Sequence, residues 1–161
     1  LFMLDVDYTS ASHAWIPGQR SSPYEMGLGW TVNLDKQGYF VGRRALEREH
    51  REGSSWQLAG LEIDWEGLER EYAAVGMPPQ VPASAVRGSI PVYAGPRQVG
   101  YASTSTWSPV LKKYIALVHL QQPYFTPGTK VEIEVTVEHH RRKSPATVVK
   151  LPFYDPEWKK K

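Results

Sequence analysis

The chain has 161 residues, a formal net charge of +2, 41% hydrophobic and 12% aromatic residues, and no cysteine. This composition predicts one folded domain with its own core, and it excludes wholesale disorder, disulfides, thiolate metal sites and cysteine nucleophiles. The small charge excess argues against a nucleic-acid partner, and no apolar run approaches the ~18 residues of a membrane span, so we expect no membrane partner and a cytoplasmic location.

The first residues alternate between apolar and acidic side chains. Residues 1–8 therefore predict a strand, with Asp5 and Asp7 on the same face. A loop rich in Ser, Gly and Pro follows over Thr9–Pro23. Two carboxylates can bind a cation or act in catalysis, but no third ligand lies near in sequence. We therefore interpret this pair as solvated strand residues.

Alternation predicts a second strand over Gly27–Asp35, with Trp30 on its apolar face. Two glycines flank Trp30 and would let a flat ligand or another backbone approach closely. The residues alone leave two interpretations open: a core tryptophan, or an aromatic platform for a flat ligand. Good helix formers over Gly42–Glu52 then predict a helix that ends at Gly53.

The next segment predicts a strand over Trp56–Asp64, followed by a short helix capped by Asp64. Trp65, Leu68, Tyr72 and Val75 recur at helical spacing, which indicates packing. An open connection is predicted over Gln80–Ser89.

The rest of the chain is rich in β-prone residues and turns. It predicts strands over Ile90–Tyr93, Gln98–Ser103, Tyr114–Leu120, Lys130–Val137 and Ala146–Leu151. The hydroxyl run Ser103–Thr106 predicts the start of a displayed loop, and Glu138–Ser144 predicts a polar hairpin tip. Short strands at regular spacing are typical of a small barrel or sandwich.

Motifs for catalysis are absent from the sequence. His139 and His140 are neighbours that would point to opposite faces of a strand, so we do not expect them to bind one metal ion. The sequence contains no nucleophile elbow, phosphate-binding loop or dinucleotide fingerprint.

Several short segments nevertheless resemble one known family. Val99-Gly100, Thr104-Ser105, Ser108-Pro109, Leu111-Lys112-Lys113 and Ile115-Ala116-Leu117 occur in order, followed by Pro127-Gly128-Thr129, Val131–Val135, Ala146–Val149 and Leu151-Pro152-Phe153. Upstream come Ser22–Trp30 and Phe40–Leu46. Together they resemble the C-terminal part of the folate-dependent aminomethyltransferases, the glycine cleavage T-protein and its relatives.

The resemblance implies a fold class and a division of the chain. The fold is expected to be mainly β, a small antiparallel Greek-key-type barrel preceded by a strand–helix segment. Residues 1–55 would belong to the central folate-binding domain, 56–154 would form the C-terminal barrel, and 155–161 a basic tail.

The resemblance also implies a function. The chain would be the C-terminal portion of a tetrahydrofolate-dependent aminomethyl or methyl transferase, inactive without the missing N-terminal part, because nothing here matches the family's catalytic aspartate. Trp30 and Glu25 match residues at the folate site, and Lys112 or Lys113 would meet folate's anionic tail by charge alone. The implied partners are upstream domains of the same protein and an aminomethyl-lipoyl carrier protein or a small methylated metabolite.

Two departures bear on the partner. The loop Thr9–Ser22 is longer than in housekeeping glycine-cleavage proteins, and Trp65–Ser89 adds a helix and loop. Two alternatives therefore stay open. One is a non-catalytic barrel module for docking or regulation. The other is the folate-binding tail of a flavin-dependent methylglycine dehydrogenase.

Overall fold

The computed structural model describes residues 8–10, 12–16, 19–82 and 84–160. Within these residues, the helices are α1 (Arg43–Glu52) and α2 (Trp65–Ala73). The strands are β1 (Trp56–Ile63), β2 (Val86–Ala94), β3 (Arg97–Ser108), β4 (Lys113–Gln121), β5 (Lys130–Val137) and β6 (His140–Val149). Short 3-10 helices cover Gly29–Thr31 and Glu157–Lys160.

The six strands form a closed barrel in the order β1-β4-β3-β2-β5-β6. Each neighbouring pair is antiparallel. Strands β2, β3 and β4 follow one another as hairpins. The strand before them, β1, lies beside β4 and not beside β2, which is a Greek-key arrangement. The predicted fold class, a mainly β Greek-key-type barrel, is confirmed. Closure leaves no free sheet edge, so every strand has two neighbours.

The barrel interior is filled by the apolar side of each strand. In β5, Val131, Ile133 and Val137 are buried, whereas Thr136 between them is exposed. Alternation of this kind places one face of the strand in the core and the other in water. Leu61, Val92, Val99, Val118 and Leu120 from the other strands are all 0% exposed and belong to the same core.

Helix α1 ends at Glu52 as predicted and begins one residue after the predicted Gly42. Helix α2 begins after Asp64 as predicted but ends at Ala73, before Val75, which the helical spacing had included. The Asp64 carboxylate accepts a hydrogen bond from the Gly67 amide at 3.0 Å, as an N-cap residue does. Gly53, with a φ of +82°, ends α1. Helix α2 lies against β6, and a Cβ on Gly67 would come within 2.5 Å of the Pro145 ring. A glycine is needed at this close approach.

The predicted strand over Gly27–Asp35 is wrong. The backbone there curls through turns: the Gly27 amide donates to the Tyr24 carbonyl at 3.0 Å and the Leu28 amide to the Pro23 carbonyl at 2.7 Å. Gly27 has a φ of +68°, which an extended strand cannot accommodate. The apolar–polar alternation in this segment therefore does not reflect a sheet face.

The hydroxyl run Ser103–Thr106 is not a loop. It continues β3, and the turn that follows is confined to Pro109–Lys112. Ser103 and Ser105 point into the barrel and are 0% and 1% exposed, while Thr104 and Thr106 lie on the other face. Small hydroxyl side chains fit the narrow barrel interior, so composition misidentified a strand as a loop.

The hairpin between β5 and β6 is tighter than predicted. Glu138–Ser144 was expected to be the tip, but β6 begins at His140 and the turn uses only Glu138 and His139. Both residues have positive φ, 48° and 62°, as a two-residue type I′ turn requires. Similarly, β2 begins at Val86, inside the predicted open connection.

The predicted strand over residues 1–8, with Asp5 and Asp7, lies outside the described residues except for Tyr8. The division into 1–55, 56–154 and 155–161 stays a prediction. Among the described residues, no helix has the length and apolar character needed to cross a membrane.

Candidate functional site

Glu25 lies in a tight hydrogen-bonded turn with Ser22. The Ser22 amide donates to Glu25 Oε2 at 2.9 Å, and the Glu25 amide donates to Ser22 Oγ at 3.1 Å. This reciprocal pair has the geometry of a capping box, and Ser22 and Glu25 have the S-x-x-E spacing that produces it. The carboxylate of Glu25 is therefore fixed in position by its own backbone segment.

A second carboxylate, Glu49 of α1, supports this turn. Ser22 Oγ donates to Glu49 Oε1 at 2.5 Å, and Ser54 Oγ donates to the same oxygen at 2.6 Å. Burial raises the pKa of the Glu25 carboxyl; the Ser22 amide counteracts this rise, and the charge of Glu49 adds to it. Glu25 is thus a partly desolvated acid with a nearby like charge, an environment common at functional sites.

The Ser22–Thr31 segment is attached to the barrel at the start of β1. The Leu58 amide donates to the Glu25 carbonyl at 2.6 Å, and the adjacent Met26 is only 5% exposed. The Tyr24 ring packs on the backbone of Gly29, where a Cβ would come within 2.8 Å of that ring. Gly29, next to Trp30, thus makes room for the Tyr24 ring of the same chain.

Trp30 projects into solvent from the 3-10 helix over Gly29–Thr31. Its side chain is 83% exposed, so the interpretation of a core tryptophan is wrong for the chain as it stands. Two hydrogen bonds close this turn: the Thr31 hydroxyl and amide both donate to the Leu28 carbonyl, at 2.7 and 2.9 Å. An indole held out by an ordered turn can contact another molecule or domain with little loss of conformational freedom.

Lys112 and Lys113 lie at the other end of the barrel from Glu25. Leu58, which binds the Glu25 carbonyl, pairs with His119 on β4, and Lys113 begins that strand six residues earlier. At ~3.4 Å per residue the separation along β4 is about 20 Å. Lys113 Nζ is paired with Glu62 at 2.7 Å, and Lys112 lies in the β3–β4 turn with a φ of +52°. The four predicted site residues therefore do not share one cleft.

The segment that carries Glu25 lines clefts of different character. Met26 and Leu28 line an apolar cleft of about 760 Å³ against β1 and the segment after β6. Glu25 lines a polar cleft of about 430 Å³ on the other side, together with Arg20, Trp56, Tyr101 and His119. The segment thus separates an apolar surface from a charged, aromatic one.

Sequence reasoning missed Glu49, Arg20 and the aromatic residues of the polar cleft. Trp56, Tyr101 and His119 come from three strands, and only the strand register brings them together. The S-x-x-E spacing at Ser22 was a local signal that would have identified the capping box. Within the described part of the chain, no group of three or more His, Cys, Asp or Glu side chains is placed to hold a metal ion.

Comparison with known proteins identifies the family. A sequence model of the glycine cleavage T-protein C-terminal barrel domain matches residues 70–155, which is more than half of the chain. The matched region contains five of the six barrel strands, from β2 through β6. The segment with Glu25 and Trp30 lies upstream of it.

Similar sequences extend beyond that match. An aminomethyltransferase from Prochlorococcus marinus (strain NATL2A) is 33% identical over 134 residues, which cover 83% of this chain and 30% of the relative. An aminomethyltransferase from Bacillus pumilus (strain SAFR-032) is 32% identical over 133 residues, covering 83% and 31%. The chain therefore spans about a third of the length of these curated relatives.

A solved structure supports the fold. The crystal structure of glycine cleavage system aminomethyltransferase T from Bartonella henselae superimposes with a TM-score of 0.61 at 18% identity, covering 83% of this chain and 32% of that one. At 18% identity, this match supports the barrel architecture alone. With the family model and the relatives, it establishes that this chain belongs to the glycine cleavage T-protein C-terminal barrel domain family.

Proposed function

We propose that this chain is the C-terminal portion of a tetrahydrofolate-dependent one-carbon transferase that moves an aminomethyl or methyl group. Family membership carries this proposal, since the relatives quoted above are aminomethyltransferases. The chain covers about 30% of such a relative, so catalysis is assigned to the chain together with upstream domains of the same protein. The cytoplasmic location expected from the sequence belongs to the same proposal.

Trp30 and Glu25 are the residues proposed to contribute to the folate wall. The exposed indole of Trp30 offers a flat apolar surface, and stacking with a pterin ring would contribute about 0.5–1.5 kcal/mol beyond area burial. Glu25, fixed by Ser22, offers a carboxylate that accepts hydrogen bonds from ring N–H or amino groups. A planar ligand with one apolar face and polar edges would offer a contact to each of these two side chains.

When bound, tetrahydrofolate supplies the N5 nitrogen that accepts or gives the one-carbon group. The protein's contribution here is to bind and orient the ring and to exclude water from its face. Lys112 and Lys113 would attract an anionic tail by charge alone, and their position at the far end of the barrel makes this a separate contact.

Upstream domains are proposed to cover the exposed apolar side chains before the barrel. Large apolar residues are concentrated there: Trp15, Ile16, Trp30, Tyr39 and Val41 are 59–93% exposed. Exposed apolar groups in one region are typical of an interaction surface. The carrier of the one-carbon group, an aminomethyl-lipoyl protein or a small methylated metabolite, is part of the same proposal.

The test is a calorimetric titration with tetrahydrofolate of the complete reading frame that contains this chain. We expect Trp30→Ala to weaken binding by about tenfold, in line with loss of stacking and contact area. Trp158→Ala is the matched control, because Trp158 is also exposed, at 66%, but lies after the barrel.

Thermal unfolding should show that neither substitution changes stability by more than about 0.5 kcal/mol. Binding that is indifferent to Trp30 would remove this residue from the site while leaving the family in place. Absence of any binding would contradict the folate function and favour a barrel used for docking or regulation.

A further inference from the structure

The barrel closes at the seam between β2 and β5 through only two residue pairs, Val92–Ile133 and Tyr93–Glu132. By comparison, eight pairs join β5 to β6. Beyond the two pairs, the start of β2 and the end of β5 are not paired with each other in the described chain. A cleft of about 270 Å³ is lined by residues of both strands there, among them Ile90 and Val135. We call it the seam cleft.

Hydroxyl groups from a helix and two strands meet in the seam cleft. Ser105 of β3 and Tyr114 of β4 line it, and their hydroxyl oxygens are 3.3 Å apart. Ser105 is only 1% exposed, so this hydroxyl belongs to the barrel interior. Tyr72 of α2 also lines the cleft, and its hydroxyl donates to the Gln80 carbonyl at 3.2 Å. The cleft therefore offers several neutral hydrogen-bonding groups from one small region.

The charges around the seam cleft disfavour ionic ligands. Among the described residues that line it, none is Lys, Arg or His, so an anion would lose hydration without gaining a cationic partner. The carboxylate of Glu134, which also lines the cleft, already accepts from the Tyr93 hydroxyl at 3.2 Å and lies 3.7 Å from Arg141 Nε. A cation would therefore compete with Arg141 for this carboxylate. A neutral ligand meets neither obstacle.

Hydroxyl groups on a neutral ligand would match the lining. A hydroxyl both donates and accepts, so it can bind another hydroxyl in either direction. Burial raises the pKa of Tyr72, the nearby Tyr114 adds to the rise, and the bond to the Gln80 carbonyl counteracts it, so the phenol stays protonated at neutral pH. Leu68 and Ile90 offer apolar contacts to the C–H groups of the same ligand. The volume lies just below the usual range for drug-sized ligands, which indicates a smaller molecule.

We propose that the seam cleft binds a small neutral polyol, no larger than a monosaccharide, whose hydroxyl groups exchange hydrogen bonds with Tyr72, Ser105 and Tyr114. The seam cleft shares no lining residue with the apolar or the polar cleft beside Glu25. The proposal therefore adds a ligand site to the proposed folate function and does not depend on it.

Saturation-transfer NMR tests the proposal on the complete reading frame that contains this chain, with no folate present. The probe is myo-inositol. Inositol 1-phosphate has the same ring with a negatively charged group, and cyclohexanol has a similar ring with a single hydroxyl. We expect saturable binding of myo-inositol. Both analogues should bind about tenfold more weakly or worse, because one brings an uncompensated charge and the other lacks most of the hydrogen bonds.

Substitutions then assign the hydroxyl groups. Tyr72→Phe and Tyr114→Phe each remove a hydroxyl and keep the ring, and Ser105→Ala removes the third hydroxyl. Each should raise the dissociation constant for myo-inositol about threefold or more, as expected for the loss of one hydrogen bond. Tyr39→Phe is the matched control, because it also removes a phenol hydroxyl but lies outside the seam cleft and is 76% exposed. It should leave binding unchanged.

Three results would overturn the proposal. These are no saturable binding of myo-inositol, binding of either analogue that equals it, or an affinity that stays undiminished in all three hydroxyl variants. Thermal unfolding identifies any variant that does not fold, and the remaining variants and the two analogues then decide the matter.

Discussion

At the scale of single residues, the environment of Glu25 has the clearest consequences. Its carboxyl combines partial burial, a hydrogen bond from the Ser22 amide and the nearby charge of Glu49. The two carboxylates are linked through Ser22: its amide donates to Glu25 Oε2, and its hydroxyl donates to Glu49 Oε1. Ser22 therefore fixes the distance between two like charges, and that distance contributes to the proton affinity of Glu25.

Glu49→Gln should lower the pKa of Glu25 toward its ordinary value. The Gln side chain retains an oxygen that accepts from Ser22 and Ser54, so the turn should persist while the charge disappears. A ¹³C NMR titration of the Glu25 carboxyl measures this directly. Glu52→Gln, on the same helix, should leave that pKa unchanged, and an unchanged value in Glu49→Gln would show that the charge of Glu49 has no influence.

Glu25 should also make stability depend on pH with a defined sign. Burial raises its pKa in the folded state, so the folded protein binds the proton more tightly than the unfolded chain does. The resulting stabilisation is present below the ordinary pKa and is lost as pH rises through the raised one. The free energy of unfolding of the wild type minus that of Glu25→Gln should therefore fall with rising pH across this window. Urea titrations at several pH values test this, and a difference that rises would contradict the burial argument.

At the scale of elements, the sequence predicted regular patterns well and special backbone geometry poorly. The alternation of Val131 and Ile133 with charged residues identified β5 with its exact bounds, and Asp64 identified the start of α2. The strand predicted around Trp30 is wrong because Gly27 and the Ser22–Glu25 capping box impose turns that the alternation of apolar and polar residues cannot detect. The loop predicted from the hydroxyl run is wrong because the composition of a segment does not show whether its serines face a barrel interior.

Gly100 provides a test of strand packing in the barrel. A Cβ at this position would clash with the backbone carbonyl oxygen of His119, which cannot move without disturbing the β3–β4 pairing. Gly100→Ala should therefore cost roughly 3 kcal/mol or more, at or beyond the upper end of typical overpacking penalties. Gly88→Ala in β2 is the control, since nothing lies within 4 Å of its added Cβ. Chemical denaturation measures both, and equal stabilities would contradict the close approach.

At the scale of the whole molecule, the barrel and the segment before it have different roles. The barrel is closed and has its own buried core, so its strands stabilise the fold. The preceding segment is anchored by Met26 and the Glu25 carbonyl and leaves Trp30 exposed, which agrees with the contact that we propose for it. Family and fold were predictable because ordered motifs span the barrel. The polar cleft was not, because its residues meet only after the strands have paired.

Hydrogen–deuterium exchange tests the central claim most directly. The complete reading frame that contains this chain is measured with and without tetrahydrofolate, and exchange is followed along the barrel and the segment before it. We predict protection by the ligand at residues 22–31, around Glu25 and Trp30, with no comparable change at the β5–β6 turn. Ligand-dependent protection that leaves residues 22–31 unchanged would contradict the proposed folate wall.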